Sequence, residues 1–268
     1  MLPFERIVVV GAGLIGGSVA FGMRRAGVTV PVDAFEPSPA RASEARGTGT
    51  FTRVHERPLA PADIVDGDLV VLAAPVAAIV TTLGELGDLG GRDVVVTDCG
   101  STKRTVMEAA SALGGRFVGG HPMAGSEVSG AGAAREDLFD GAAWALVGYD
   151  GEPMIRVMEV VRMLGAEPVR VSAEDHDRHV ARVSHVPQLL ACALARVAGR
   201  TDQPLAAGPG LASMTRLAES PWSVWSDILE DNADAIEVPL GELIDELVRI
   251  RETLAQRDSP ALAPLFTK

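Results

Sequence analysis

A histidine in a run of small residues is the first feature of this sequence that could do chemistry. His121 lies in Gly-Gly-His-Pro-Met-Ala-Gly-Ser-Glu, at residues 119–127. Its imidazole titrates near neutral pH and could accept a proton from a reacting hydroxyl group. The run predicts a glycine-rich turn after a strand, with His121 as a candidate catalytic base. The alternative is a turn histidine that only packs against the edge of a sheet.

A glycine-rich loop near the N-terminus could bind the phosphates of a dinucleotide. Gly11, Gly13 and Gly16 have the spacing Gly-x-Gly-x-x-Gly between an apolar run and a helical segment. The first glycine permits a tight turn, the second lets backbone approach a pyrophosphate, and the third allows close packing of helix and strand. The N–H groups at the helix start, at Leu14 and Ile15, would face the phosphates. The alternative is an ordinary strand–turn–helix with incidental glycines.

An acidic residue about 20 positions after such a loop binds the ribose hydroxyls of the cofactor. Glu36 lies there, at the end of a second apolar run, whereas alternation along that run places Asp33 toward solvent. A carboxylate repels a 2′-phosphate, so Glu36 favours NAD over NADP, although Arg41 lies nearby in the sequence. A dinucleotide loop and a proton-accepting histidine together predict an oxidoreductase that transfers a hydride.

The elements that must position these residues form a doubly wound α/β domain. Short β-branched runs alternate with helical segments, as in a buried parallel sheet. Strands are predicted at 7–10, 30–35, 69–73, 94–97, 116–118, 143–147 and 167–171, and helices at 14–25, 39–46, 76–86, 103–112 and 152–164. This order predicts a Rossmann-type sheet with right-handed crossovers, which brings the loops after the strands to one edge.

Strand signals vanish in the last third of the chain. A long helix is predicted at 175–197, kinked at Pro187, and further helices at 211–216, 221–232 and 233–256. We therefore predict a Rossmann domain for NAD at 1–171 and an all-α domain for substrate binding and dimerisation at 172–268. His176 and His179 have no clear role on the long helix, and we expect both at the surface or an interface.

Three further segments complete an ordered set of motifs. Asp-x-x-Ser-x-Lys at 98–103 ends a strand and begins a helix, Ser-His-x-Pro at 184–187 lies on the long helix, and Thr-Arg-x-Ala at 215–218 follows. With the dinucleotide loop and the His-Pro-Met-x-Gly run, the sequence resembles the prephenate and arogenate dehydrogenase family of tyrosine biosynthesis over nearly its whole length. The resemblance implies the oxidative decarboxylation of a cyclohexadienol to a para-substituted phenyl product and carbon dioxide.

The resemblance also implies roles for residues of the first domain. His121 matches the family's catalytic histidine, and Ser101 matches a serine that bonds both the substrate hydroxyl and that histidine. Ser101 is also suited to cap the helix that follows it. Lys103 could act as a cation at the helix start near the anionic ligand, but we expect its side chain to be solvated.

In the helical domain the resemblance implies that His185 contacts the carboxyl region of the substrate and that Arg216 binds a substrate carboxylate. The planar guanidinium suits a bidentate contact of this kind. Each residue has another interpretation. His185 could be a helix histidine with satisfied hydrogen bonds, and Arg216 could pair with Glu219 or Asp227.

Two positions depart from the family pattern and leave the substrate open. Gln188 stands where members often have a second histidine, and Ser220 stands where an acidic residue is common. Prephenate, arogenate and 4-amino-4-deoxyprephenate therefore remain candidate substrates. The sequence is also compatible with a reductase related to β-hydroxyacid dehydrogenases and with a non-catalytic NAD-binding sensor. Feedback control by tyrosine stays open as well.

Composition excludes several further functions. The chain of 268 residues has a formal net charge of −12, which argues against nucleic acid or an anionic membrane as a partner. No apolar stretch approaches the ~20 residues that span a bilayer, and the N-terminus lacks a signal-peptide pattern, so we expect a cytoplasmic protein. Cys99 and Cys192 match no metal-ligand spacing, and no metal is expected.

Overall fold

The computed structural model describes residues 4–126, 128–199 and 208–267. Contacts divide the chain into two compact units. The first contains residues up to 177 and the segment 220–231, and the second contains 178–219 and the residues from 232 onward. The sequence suggests a single boundary between residues 171 and 172, and that boundary stays a prediction.

The first unit is built around a sheet of eight strands. They are β1 (Arg6–Val10), β2 (Val32–Phe35), β3 (Arg53–His55), β4 (Asp68–Leu72), β5 (Val95–Asp98), β6 (Phe117–Pro122), β7 (Ala143–Val147) and β8 (Glu167–Arg170). Their order is β3-β2-β1-β4-β5-β6-β7-β8. Neighbours from β3 to β6 are parallel, β7 is antiparallel to β6, and β8 is parallel to β7. The predicted Rossmann-type doubly wound sheet is confirmed.

Helices of the first unit cover both faces of its sheet. The α-helices of the described residues are α1 (Leu14–Arg25), α2 (Pro39–Gly47), α3 (Val76–Leu86), α4 (Arg104–Ala109), α5 (Glu152–Met163), α6 (Ala173–Val180), α7 (Val186–Ala198), α8 (Pro209–Thr215), α9 (Trp222–Asp231) and α10 (Ala233–Ala255). One apolar cluster joins α1 and α5 to the sheet, and a second joins α3 and α4. Because both faces are buried, the central strands β1 and β4 are nearly continuous apolar runs without alternation.

Two strands differ from the prediction. β3 was not expected, and it pairs with β2 at the edge of the sheet. The strand expected at 116–118 extends through Pro122 as β6, and His121 pairs with Ala145 of β7. The prediction that His121 lies in a glycine-rich turn is therefore wrong. Backbone pairing with β7 holds residues 119–122 in an extended conformation.

The long helix predicted at 175–197 is interrupted by a π-helical turn at Ala181–His185. Within it, the N–H of Val186 donates to the carbonyl of Ala181, five residues earlier. Pro187, the next residue, has no N–H to donate, and a wider turn accommodates the missing bond. The expected kink at this proline thus takes the form of a local change in helix type.

Candidate active site

The loop after β1 has a backbone that two of its glycines require. Gly11 has a φ of +90°, and a Cβ there would lie 2.4 Å from the carbonyl oxygen of Ala73. A Cβ on Gly16 would lie 2.0 Å from the carbonyl oxygen of Gly11. A Cβ on Gly13, by contrast, meets no atom within 4 Å. The middle glycine therefore faces open space, as a backbone that a pyrophosphate approaches must do.

The start of α1 presents N–H groups beside this space. Gly13 is the N-cap and has no side chain with which to satisfy them. The first intrahelical bond runs from the N–H of Gly17 to the carbonyl of Gly13, so the N–H groups of Leu14 and Ile15 precede the helical ladder. The positive end of the helix dipole adds attraction for an anion. These residues fit the diphosphate of a dinucleotide.

The acidic residue expected at the ribose lies at the end of β2, next to the loop. Glu36 Oε2 accepts a hydrogen bond from the N–H of Ala12 at 3.3 Å, and Oε1 accepts one from the N–H of Ser38 at 3.0 Å. The expectation of a solvent-facing Asp33 is wrong, because this residue is buried and lies 3.5 Å from the guanidinium of Arg6. A strand covered on both faces has no solvent side.

The turn after β5 holds Ser101 and a buried ion pair. Ser101 is half-buried between β5 and α4. Lys103 and Asp98 are both fully buried, and Lys103 Nζ lies 2.5 Å from Asp98 Oδ2. The expectation of a solvated Lys103 is therefore wrong. A buried ammonium needs a counter-charge, and Asp98 supplies it.

Asp98 also ties β5 to the strand that carries His121. Asp98 Oδ1 accepts a hydrogen bond from the N–H of Gly120 at 2.9 Å, and Oδ2 accepts one from the N–H of Gly100 at 2.7 Å. A Cβ on Gly120 would lie 2.4 Å from the carbonyl oxygen of Asp98, so this close approach requires glycine. His121, the next residue, is thus fixed at the same carboxyl edge as the nucleotide loop.

His121 is hydrogen-bonded to a residue that the sequence placed at the surface. His121 Nδ1 lies 2.9 Å from His176 Nε2, and His176 Nδ1 lies 2.8 Å from Asp177 Oδ1. His176 and Asp177 are only 3% and 1% exposed. The expectation that His176 is a surface residue is therefore wrong.

Asp177 in turn binds the N-terminus of α4. Its two oxygens accept the backbone N–H groups of Lys103 at 2.8 Å and Arg104 at 2.9 Å. Burial alone would raise the pKa of Asp177, but the hydrogen bonds from His176 and from these two N–H groups outweigh it and lower the pKa below its usual value. Asp177 is consequently an ionised acceptor at neutral pH.

The other two predicted site residues belong to the second unit. His185 is buried, and the amide of Asn232 donates to its Nδ1 at 3.3 Å, which leaves the proton of the neutral ring on Nε2. Arg216 is exposed and begins a 3₁₀ turn, Arg216–Glu219. Gln188 is buried, and its Nε2 donates to the carbonyl of Leu217 within that turn at 2.8 Å.

Comparisons with known proteins identify the family. Residues 19–172 match the family model described as prephenate dehydrogenase, nucleotide-binding domain, and residues 172–268 match prephenate dehydrogenase, dimerization domain. The prephenate dehydrogenase of Bacillus subtilis is 31% identical over 274 residues, which cover 98% of this chain and 73% of that protein. The chain belongs to the prephenate dehydrogenase family.

A solved prephenate dehydrogenase has the same fold. The Aquifex aeolicus enzyme in complex with hydroxyphenyl propionate and NAD+ has a TM-score of 0.87 and 28% identity, with 98% of this chain and 94% of that one covered. The cyclohexadienyl dehydrogenase of Zymomonas mobilis is 28% identical, over 99% of this chain and 94% of that protein. The predicted family, the Rossmann-type domain followed by a helical one, and the oxidoreductase class are confirmed.

The roles of individual residues in this family member stay predictions. The first unit places the loop glycines, Glu36, Ser101 and His121 along one sheet edge. Sequence reasoning missed His176 and Asp177 there, although two adjacent polar residues of this kind were a possible signal. Glu127, which ends the run around His121, lies outside the described residues.

Other chemistries find no support in the described ranges. They contain no cluster of three or more His, Cys, Asp or Glu residues able to hold a metal ion. No helix among them is both long and apolar enough to cross a bilayer. Burial raises the pKa of the Cys99 thiol far above its usual value, so Cys99 is not a thiolate nucleophile.

Proposed function

We propose that this family member catalyses the NAD-dependent oxidative decarboxylation of prephenate to 4-hydroxyphenylpyruvate. The position of His121 carries the proposal, because this residue lies at the end of β6 on the sheet edge that holds the nucleotide loop. A base at this edge could take the proton of a substrate hydroxyl group while the carbon that bears it gives its hydride to a dinucleotide held by the loop. The Bacillus subtilis and Lactococcus lactis relatives, both named prephenate dehydrogenase, support this substrate.

The reaction needs one base and an oriented ring. NAD+ supplies the hydride acceptor. As the hydride leaves the ring carbon that bears the hydroxyl group, His121 takes the hydroxyl proton. The ring carboxylate leaves as CO2, its bonding pair enters the ring, and the ring becomes aromatic. His121 then returns the proton to the phenolate oxygen, because prephenate and NAD+ balance with 4-hydroxyphenylpyruvate, CO2 and NADH without a net proton.

Aromatisation supplies much of the driving force, so the protein has mainly to orient the ring and exclude water. We assign Ser101 to the substrate hydroxyl, because its turn follows β5, beside the strand of His121. His185 and Arg216 are assigned to the carboxylate of the pyruvyl side chain, which stays on the product. The Nε2–H of His185 and the guanidinium of Arg216 are both donors suited to an anion.

We propose NAD as the cofactor in preference to NADP. Glu36, at the end of β2, would accept hydrogen bonds from the ribose hydroxyls and repel a 2′-phosphate. The Aquifex aeolicus relative solved with NAD+ supports this choice. Gly11, Gly13, Leu14, Ile15 and Gly16 would hold the diphosphate.

The direct test measures initial rates of NADH or NADPH formation. Prephenate and arogenate are assayed in parallel, each with NAD+ and with NADP+. We expect turnover of prephenate with NAD+. Arogenate, which would give tyrosine, is the second candidate, since the Zymomonas mobilis relative is named a cyclohexadienyl dehydrogenase. If neither prephenate nor arogenate gives NADH or NADPH, 4-amino-4-deoxyprephenate or a β-hydroxyacid would be favoured as substrate.

Two variants separate chemistry from binding. His121→Asn should lower kcat by about 10²- to 10⁴-fold, the range for loss of a general base, with little change in NAD+ affinity. Arg216→Ala should chiefly raise the KM for prephenate. Unchanged kcat in His121→Asn with normal NAD+ binding would instead support the NAD-binding sensor.

We further propose a homodimer formed through the helical domain. α10 has exposed apolar side chains at Val238, Ile244, Leu247 and Leu254, which would gain by burial against a second copy. The match to a dimerization domain supports this interface. A concentration-independent monomer in light scattering would contradict it. We propose that the dimer acts in the cytoplasm on small molecules, with no nucleic acid or membrane as partner, and cell fractionation tests the compartment.

A further inference from the structure

A hydrogen-bond chain leads from the candidate base to a buried carboxylate. His121 Nδ1, His176 Nε2, His176 Nδ1 and Asp177 Oδ1 follow one another at 2.9 Å and 2.8 Å between residues. The two imidazole rings meet edge to face, at 68° and with 5.1 Å between their centroids. The distance of 2.9 Å between the two ring nitrogens is within the range of a hydrogen bond.

The ionised carboxylate of Asp177 determines which nitrogen of each histidine in this hydrogen-bond chain carries the proton. Asp177 is an ionised acceptor, and it also receives the N–H groups of Lys103 and Arg104. It can only accept from His176, so the proton of the neutral His176 ring lies on Nδ1. The Nε2 of His176 is then an acceptor, and it must receive the Nδ1–H of His121. The lone pair of the neutral His121 ring consequently lies on Nε2, which makes Nε2 the basic nitrogen.

We propose that His176 and Asp177 are positioning residues that hold His121 in the tautomer with a basic Nε2. The inference rests on the proposed function of His121 as the base. When Nε2 takes the hydroxyl proton, the Nδ1–H of the imidazolium stays bonded to His176. The negative charge of Asp177, transmitted through His176, stabilises the cation that forms, and no proton moves along the chain.

Further contacts close this chain into a ring that fixes His121 from two sides. Lys103 donates its backbone N–H to Asp177 and its ammonium to Asp98. Asp98 accepts the N–H of Gly120, the residue before His121. The charged groups of this ring of contacts are Asp177, which Arg104 Nε also contacts at 3.2 Å, and the mutually paired Asp98 and Lys103.

Replacing His176 tests the role of the acceptor. His176→Leu should lower kcat by about 10²-fold, at the lower end of the range for general-base catalysis. His176→Gln offers a carbonyl oxygen to His121 and an amide N–H to Asp177, so it should retain activity within about 10-fold of wild type. His179→Gln, which alters an exposed histidine of the same helix, is the matched control and should leave kcat unchanged.

Replacing the carboxylate tests the direction of the chain. In Asp177→Asn an amide N–H can face His176, which then must accept at Nδ1 and donate from Nε2 to His121. That arrangement moves the proton of His121 to Nε2 and removes the base. We expect a fall in kcat like that of His176→Leu, and for both variants an acid limb of the pH–rate profile that moves to lower pH, because the imidazolium loses its counter-charge.

Nitrogen-15 NMR of histidine-labelled protein reads the tautomers without any substrate. The chain has five histidines, and His121→Asn assigns the signal of interest. We expect Nδ1–H at His121 in the wild type and Nε2–H in Asp177→Asn. NADH-binding fluorescence and thermal melting confirm that each variant is folded.

Two results would overturn the proposal: an Nε2–H tautomer of His121 in the wild type, or a folded His176→Leu with unchanged kcat and pH profile. Failure of the proposed function can be distinguished from failure of this inference, because a protein that does not oxidise prephenate would still show the expected histidine tautomers by NMR.

Discussion

Replacing Lys103 by methionine should destabilise this protein far more than the loss of an exposed ion pair. Lys103 and Asp98 are both fully buried and 2.5 Å apart. Methionine fills similar space without the ammonium group. Asp98 then keeps the N–H bonds from Gly100 and Gly120 but has lost its counter-charge. Removing one partner of a buried ion pair costs about 3–5 kcal/mol.

Thermal melting followed by circular dichroism measures this cost. In a chain of this size 1 kcal/mol lowers Tm by about 2–4 °C, so Lys103→Met should melt about 6–20 °C below the wild type. Arg249→Met removes an exposed ion pair with Glu246 and is the matched control. A Lys103→Met protein that melts no lower than this control would refute the reasoning.

Three other substitutions separate cofactor binding, substrate binding and stability. Gly13→Ala should fold normally but bind NAD+ more weakly in calorimetry, because its Cβ would enter the open space beside the loop. Gly16→Ala should instead lower Tm, because its Cβ would lie 2.0 Å from a backbone oxygen. Equal effects of the two substitutions on Tm would contradict this difference. Gln188→Leu should raise the KM for prephenate with little change in kcat, because it frees the turn that begins at Arg216, and an unchanged KM would show that the turn holds without it. Because the pKa of Asp177 is lowered in the folded protein, the ionised carboxylate contributes fully to folding stability above the usual carboxyl pKa, and this contribution is lost as the pH falls below that value. In Asp177→Asn, Tm should therefore decrease less steeply as the pH is lowered.

The parts of the fold that could be predicted from sequence are the helices and strands with long apolar segments. The helices at 14–25 and 76–86 and the strand at 143–147 have the predicted bounds. The strand β3 was missed because Arg53–His55 contains a single apolar residue and lies at the sheet edge. In β6 the glycines and the proline favour a turn locally, and only the pairing with β7, which no local pattern reveals, makes the segment extended.

The sequence could suggest the candidate site residues that depend on local context, but not the buried polar residues that depend on distant partners. The loop glycines, Glu36 and Ser101 each follow a strand, and His121 follows the apolar residues that begin β6, which are patterns that sequence can show. His176 is buried because it bonds a residue 55 positions away, and a polar helix with such a residue reads as a surface helix. The burial of Lys103 had a signal nearer in the sequence, because its ion-pair partner Asp98 lies only five positions before it.

The ring of polar contacts around His121 couples stability to catalysis in this site. Lys103 belongs to the ring through both its ammonium and its backbone N–H, so its substitution should disturb Asp98 and with it the position of Gly120. At a temperature well below its melting point Lys103→Met should be folded. We still expect a reduced kcat, because Asp98, which accepts the N–H of Gly120, is no longer held by the ammonium group of Lys103. Gly13→Ala lies outside the ring and should keep kcat at saturating NAD+. A folded Lys103→Met with wild-type kcat would show that the backbone pairing of β6 alone suffices to place the base.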